Sequence, residues 1–142
     1  MPQIWDPAEE RNAVGHELLT VTATIDPGTG ATVLTVAGEI DMLTAPVLRQ
    51  RLDEHFAADR TPIIVDLSQV EFFGSNALGV LVDAHQRAIA DGRIFVLVAG
   101  TRIVRRPLKA TELDKVLSVY DDLDHALEAV HAWSARPTTT PW

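Results

Sequence analysis

The sequence predicts an α/β fold built on a mainly parallel sheet. Two uninterrupted apolar runs, Ile63-Ile64-Val65 and residues 94–98, have the character of strands buried on both faces, as parallel strands are. Segments with apolar residues at three- and four-residue steps, the helical period, alternate with them. Near the start, two strand-like runs flank Pro27-Gly28-Thr29-Gly30, a turn signal, so the first two strands form a hairpin. The expected order is β-β-α-β-α-β-α-β-α, in one domain over residues 17–133. The polar, aperiodic residues 1–16 read as a flexible arm and residues 134–142 as a flexible tail.

Each element has its own signal. Leu19, Val21, Ala23 and Ile25 alternate with threonines, the mark of a half-buried strand whose apolar side faces inward. The returning strand spans residues 32–40. Thr44 is placed to cap a helix with Ala45 and Pro46 in its first turn and Leu48, Leu52 and Phe56 inward. The strand beginning at Ile63 is closed by Asp66. Asp66 and Ser68 read as turn-formers before Phe72-Phe73, one of which belongs to the core while the other is free to anchor a partner. Gly74 permits a sharp turn, and Ser75 or Asn76 can cap the helix that follows. Leu78, Leu81, Val82, His85 and Ile89 form its predicted inner face, and Gly92 stops it.

Beyond the strand at 94–98, Ile103, Val104 and Leu108 predict a helix that Pro107 kinks or splits. Its basic cluster, Arg102, Arg105, Arg106 and Lys109, reads first as a solvated face and second as a phosphate or partner site. A short strand over residues 116–120 precedes a last helix. Asp121 or Asp122 caps that helix, with Leu123, Ala126, Leu127 and Val130 inward.

Composition removes several classes of function. With 142 residues, 46% of them hydrophobic, the chain has material for one ordinary core. Its formal charge of −8 gives no electrostatic footprint for nucleic acid or an anionic membrane. There is no cysteine, hence no disulfide or thiolate chemistry, and the histidines show no metal-ligand spacing. No membrane span and no signal-peptide pattern is visible, so a cytoplasmic protein is expected. No phosphate-binding loop and no catalytic constellation is present either. The expectation is a non-enzyme without metal or cofactor.

The residues around Ser75 carry a more specific message. A small hydroxyl residue stands at the positive end of a helix, just past a buried strand, where an anion is favoured. Residues 65–79 read V-D-L-S-Q-V-E-F-F-G-S-N-A-L-G. This stretch resembles, without a gap, the signature of STAS domains of anti-sigma factor antagonists, V-D-[LF]-S-x-[VL]-x-[FYM]-[ILM]-D-[ST]-[ST]-G-[LI]-G. A second match is Gly38-Glu39-Ile40-Asp41, the family's G-E-[LI]-D.

The resemblance implies STAS architecture, and phosphorylation of Ser75 by a partner anti-sigma factor that is a serine kinase. It implies no cofactor, and a partner surface made by Glu39, Asp41, Phe73, Gly74, Ser75 and Asn76. Asp41 and Ser75, each following a parallel strand, are expected on one rim of the sheet. Asp41 is either a cap for the next helix or a partner contact. Gly74, Asn76 and Ala77 stand where the family has Asp, Ser or Thr, and Gly. The first functional reading is an antagonist that binds an anti-sigma factor, frees a sigma factor and is switched off by phosphorylation. It acts as a monomer or weak dimer. The alternative is a STAS scaffold that is never phosphorylated, or an accessory subunit of a signalling complex or lipid transporter.

Overall fold

A computed structural model of the protein describes residues 18–134. The expected arm, and the tail from residue 135 onward, lie outside the described residues. Ser134 closes the last helix.

The described elements are β1 (Leu19–Ile25), β2 (Thr32–Ile40), α1 (Ala45–Ala58), β3 (Ile63–Phe73) and α2 (Ser75–Asp91), then β4 (Phe95–Val98), α3 (Arg102–Ala110), a 3₁₀ turn (Leu113–Lys115), β5 (Val119–Tyr120) and α4 (Leu123–Ser134). They make the α/β fold that the sequence predicts. The five strands lie in sequence order, with β1 antiparallel to β2 and the rest parallel. Three successive crossovers advance in one direction across the sheet. Right-handed connections then place α1, α2 and α3 on one face. The packing follows this rule. Leu48, Leu52, Leu81, Val104 and Leu108 join Leu34, Val36, Ile63, Val65 and Leu97 in the larger apolar cluster. On the opposite face, Ala126 and Val130 of α4 cover Val33, Ile64, Val96 and Val98.

Several local expectations are corrected. On β1 only Leu19 is buried, Val21 is half-buried, and Ala23 and Ile25 are exposed. β1 is an edge strand, and burial fades toward its far end. The strand at Ile63 does not stop at Asp66. It runs on to Phe73, because β3 takes up two one-residue irregularities against β2, between Thr35 and Ala37 and between Gly38 and Glu39. Asp66 and Ser68 do bond locally, the Ser68 N–H donating to Asp66 Oδ1 at 3.0 Å, but they do so inside the strand, beside the first bulge.

α2 turns a different face inward from the one predicted. Ala77, Val80, Leu81, Ala84 and Ala88 are buried, while Ile89 is 66% exposed. Alanine lets the helix lie close to the sheet, and the larger Leu78, Val82 and Ile89 are left on its flank. α3 runs through Pro107 without splitting. The backbone N–H of Thr111 and its hydroxyl both donate to the Pro107 carbonyl, closing the helix end. The last strand shrinks to Val119–Tyr120, because the preceding chain forms the 3₁₀ turn. Of the two capping candidates for α4, Asp122 accepts from the His125 N–H at 2.8 Å, while Asp121 pairs with Arg105.

Candidate functional site

The site is built where β2 and β3 end side by side. Ile40 pairs with Phe73, and the Gly74 N–H donates to the Ile40 carbonyl at 2.8 Å. Asp41 directly follows β2, and Ser75 stands one residue past Gly74 at the end of β3, so both lie beyond the ends of two adjacent parallel strands, on the same edge of the sheet. The shared rim expected from the crossover is present.

On the Asp41 side a reciprocal pair locks the turn. The Asp41 Oδ1 carboxylate oxygen accepts from the N–H groups of Leu43 at 2.9 Å and Thr44 at 3.0 Å. In return the Thr44 hydroxyl accepts from the Asp41 N–H at 2.9 Å and donates to the Glu39 carbonyl at 2.7 Å. This arrangement has the logic of a capping box. Thr44 precedes α1 as expected, but its fully buried hydroxyl turns back to the Glu39–Asp41 strand end and does not cap the helix. The intervening Met42 and Leu43 are 72% and 59% exposed. Sequence reasoning missed these two. Their signal was a pair of large apolar residues in a turn, with no strand or helix to bury them.

The Asp41 carboxyl is held below its ordinary value of 3.8, first by the Thr44 N–H and then by the Leu43 N–H and the Thr44 hydroxyl, against some desolvation. A carboxyl with a lowered folded-state pKa contributes its stabilisation above the unfolded value and loses it as pH falls through the folded one. The amide resonances of Leu43 and Thr44 are expected to titrate with a midpoint below 3.8, and to lose that transition in Asp41→Ala. A midpoint at or above 3.8 would contradict the bonding described.

On the Ser75 side the expected caps are corrected. Gly74, with φ −82° and ψ 171°, occupies the N-cap position, Ser75 is the first helical residue, and no side chain caps the helix. Neither Ser75 nor Asn76 acts as the cap, and both are exposed. An added Cβ at Gly74 would stand 3.1 Å from the Ile40 carbonyl oxygen and 3.2 Å from Phe72 Cε2. The ring of Phe72 thus lies over the place where the family signature carries an aspartate side chain.

Phe73 is corrected as a partner anchor. Phe73 is 8% exposed and packs in the larger cluster, whereas Phe72 is 50% exposed. The two bulges cancel at this point. Each shifts the strand's alternation by one residue, and together they return Phe73 to the face of Ile63, Val65 and Leu67. Glu39 is half-buried and opposite Phe72 in the register.

Two exposed ion pairs brace the helices behind the rim, Arg49–Asp83 at 2.8 Å and Arg87–Asp53 at 3.1 Å, with Arg87 also 4.8 Å from the centre of the Phe56 ring. Exposed pairs of this kind contribute at most about 1 kcal/mol each. Between them and Ser75 opens a shallow cleft lined by Met42, Pro46, Gln50, Asn76 and Val80. Among the described residues no group of three or more His, Asp or Glu side chains converges as a metal site. No described helix is long and apolar enough to cross a membrane.

A hydroxyl at a helix start thus stands beside a tied-down acidic turn on one exposed rim of the sheet. The family model of the STAS domain matches residues 20–126, and the chain belongs to that family. The anti-sigma-F factor antagonist RsfB of Mycobacterium tuberculosis is 35% identical over 111 residues, spanning 78% of this chain and 90% of the relative. An anti-sigma factor antagonist from Mycobacterium paratuberculosis has a crystal structure with TM-score 0.73 at 38% identity, over 80% of this chain and 94% of that one. The anti-sigma factor antagonist SpoIIAA in its unphosphorylated form, 15% identical with TM-score 0.66 over 80% and 97% of the two chains, shares the fold.

Proposed function

We propose that this protein is an anti-sigma factor antagonist. Its rim binds an anti-sigma factor and releases the sigma factor that the latter holds. Phosphorylation of Ser75 by the partner, itself a serine kinase, ends the binding. The observation that carries this reading is the placement of exposed Ser75, first residue of α2, on the rim next to the Asp41 turn and its exposed Met42 and Leu43. The apolar pair supplies surface to bury on docking, and Glu39, Asp41, Gly74 and Asn76 border it. The names of the relatives support the partner class.

The protein works as a monomer or weak dimer in the cytoplasm, through its folded domain at residues 17–133. It has no catalytic reaction of its own, since the kinase brings ATP, Mg²⁺ and the catalytic residues. A second reading, an unphosphorylated STAS scaffold, is favoured by Gly74. The aspartate side chain of the signature is missing there, and Phe72 lies over its place.

The test is a binding titration of the full chain against the anti-sigma factor that co-purifies with it from its own cells. A saturable complex is expected, weakened at least about tenfold when Met42 and Leu43 are both changed to Ser, as for paired apolar anchors at an interface. Recovery of scaffold or transporter subunits in place of an anti-sigma factor would select the second reading.

A further inference from the structure

A second surface lies beside the rim and takes no part in the Ser75 chemistry. The end of β3 and the first turns of α3 enclose an apolar groove lined by Phe72, Phe73, Ile103 and Pro107, with Arg102 and Arg106 along it and Glu71 at its edge. Phe72 and Ile103 are 50% and 47% exposed, so two large apolar side chains face water in one place.

The charges there are also unspent. Several cations elsewhere are used internally: Arg49, Arg87, Arg93, Arg105 and Lys115 each pair with a carboxylate. Arg105 is fastened further, its Nε donating to the Ala99 carbonyl at 2.6 Å, and this fixes α3 against the sheet. Arg102 and Arg106 are exposed and have no ion-pair partner among the described residues. They stand one helical turn apart, so they face the same side. A helix held rigidly from beneath thus presents two unpaired guanidinium groups over an apolar floor.

We propose that this groove is a docking site for an acidic, amphipathic segment of a partner protein. Such a segment would place its apolar side chains against Phe72, Ile103 and Pro107 and its carboxylates on Arg102 and Arg106. Charge complementarity selects this occupant. The chain as a whole carries −8. A membrane surface or a nucleic acid, being extended and anionic, meets repulsion from the rest of the molecule. A short segment touches the basic groove alone, and bidentate carboxylate contacts suit arginine. The groove adjoins Gly74 through the Phe72 ring, so a partner seated on the Ser75 rim can reach it with a flanking segment.

The probe is a synthetic peptide of about 18 residues, five helical turns, with Leu at helical spacing and Glu elsewhere. It is titrated into the ¹⁵N-labelled full chain. Amide shifts are expected at residues 71–73 and 102–106. Arg102→Glu/Arg106→Glu is expected to weaken binding by about tenfold or more, in a salt-dependent way. Phe72→Ser is expected to weaken it as well, while Ser75→Ala leaves it unchanged. Since Arg102, Arg106 and Phe72 are surface residues, thermal melts of the variants separate lost docking from lost folding. The proposal is overturned if no shift appears at the groove at millimolar peptide, or if a peptide with Lys in place of Glu binds equally well. It is likewise overturned if the double variant binds as the wild type does, or if the wild type sediments with phosphatidylglycerol-containing vesicles while ignoring the peptide.

Discussion

Gly38→Ala is expected to destabilise the protein by about 4 kcal/mol or more, among the largest effects a single substitution has. Gly38 sits near the end of β2 at φ +110°, and a Cβ there would stand 1.9 Å from the Leu18 carbonyl oxygen. That oxygen accepts from the Glu39 N–H at 2.7 Å, so the backbone cannot yield without breaking the bond that holds Glu39 on the rim. A non-glycine residue at positive φ costs about 1–3 kcal/mol, and a buried hydrogen bond left unmade costs a similar amount. The loss is a large share of the roughly 5–15 kcal/mol that stabilises a domain of this kind.

Gly79→Ala is the matched control. Gly79 also lies in the STAS signature, but it stands in α2 with nothing within 4 Å of an added Cβ. Alanine there is expected to raise stability by about 0.5–1 kcal/mol, through helix propensity and a less flexible unfolded chain. Urea titrations of the two variants read the difference. A Gly38→Ala protein as stable as the wild type would refute the described approach of β1 to β2.

Ser75→Asp is expected to fold as the wild type does and to bind the anti-sigma factor more than about a hundredfold more weakly, a loss of ~3 kcal/mol. Folding is preserved because Ser75 is exposed at the first position of a 17-residue helix, where the dipole and the open N–H groups favour an acid by about 0.3–1 kcal/mol. Loss of binding is expected because the new charge would join Glu39 and Asp41 on the surface proposed to meet the partner. The Asp41 carboxylate, kept ionised by the amides of its own turn, adds to the negative charge there. Ser75→Ala removes only an exposed hydroxyl, so it is expected to change stability by less than about 0.5 kcal/mol and to keep binding. Thermal melts and titrations of the three proteins read these outcomes together. A Ser75→Asp protein with wild-type affinity would mean that the partner docks elsewhere.

Much of this was legible in the residues. The apolar runs at Ile63 and Phe95 could only be buried strands, and the alternation of periods set the order of the fold. Leu48, Leu52 and Phe56 marked the inner face of α1 because large apolar side chains occupy it. The same rule failed on α2, where the sheet-facing positions Ala77, Ala84 and Ala88 are small and the large Ile89 is outside. Hydrophobic size and burial part company when a helix lies close to its sheet. The bulges of β3 were equally hidden, since nothing in the apolar pattern marks an extra residue. Their two shifts cancel at Phe73, which faces the core as an unbroken alternation from Ile63 would also place it; with the strand expected to close at Asp66, the sequence could say only that one ring is inside. The rim itself followed from topology, but its lock did not. The reciprocal Asp41–Thr44 bonds depend on the chain turning back at Met42 and Leu43.

The proposed role of Ser75 as phosphate acceptor is the centre of this account, and phosphotransfer tests it most directly. The full chain and its Ser75→Ala variant are incubated with the anti-sigma factor, ATP and Mg²⁺, and each is digested and read by mass spectrometry. The predicted result is a single phosphate on the wild type, on the peptide that carries Ser75, and none on the variant. A wild type that takes no phosphate from a partner it binds, or a Ser75→Ala variant labelled equally well, would contradict it.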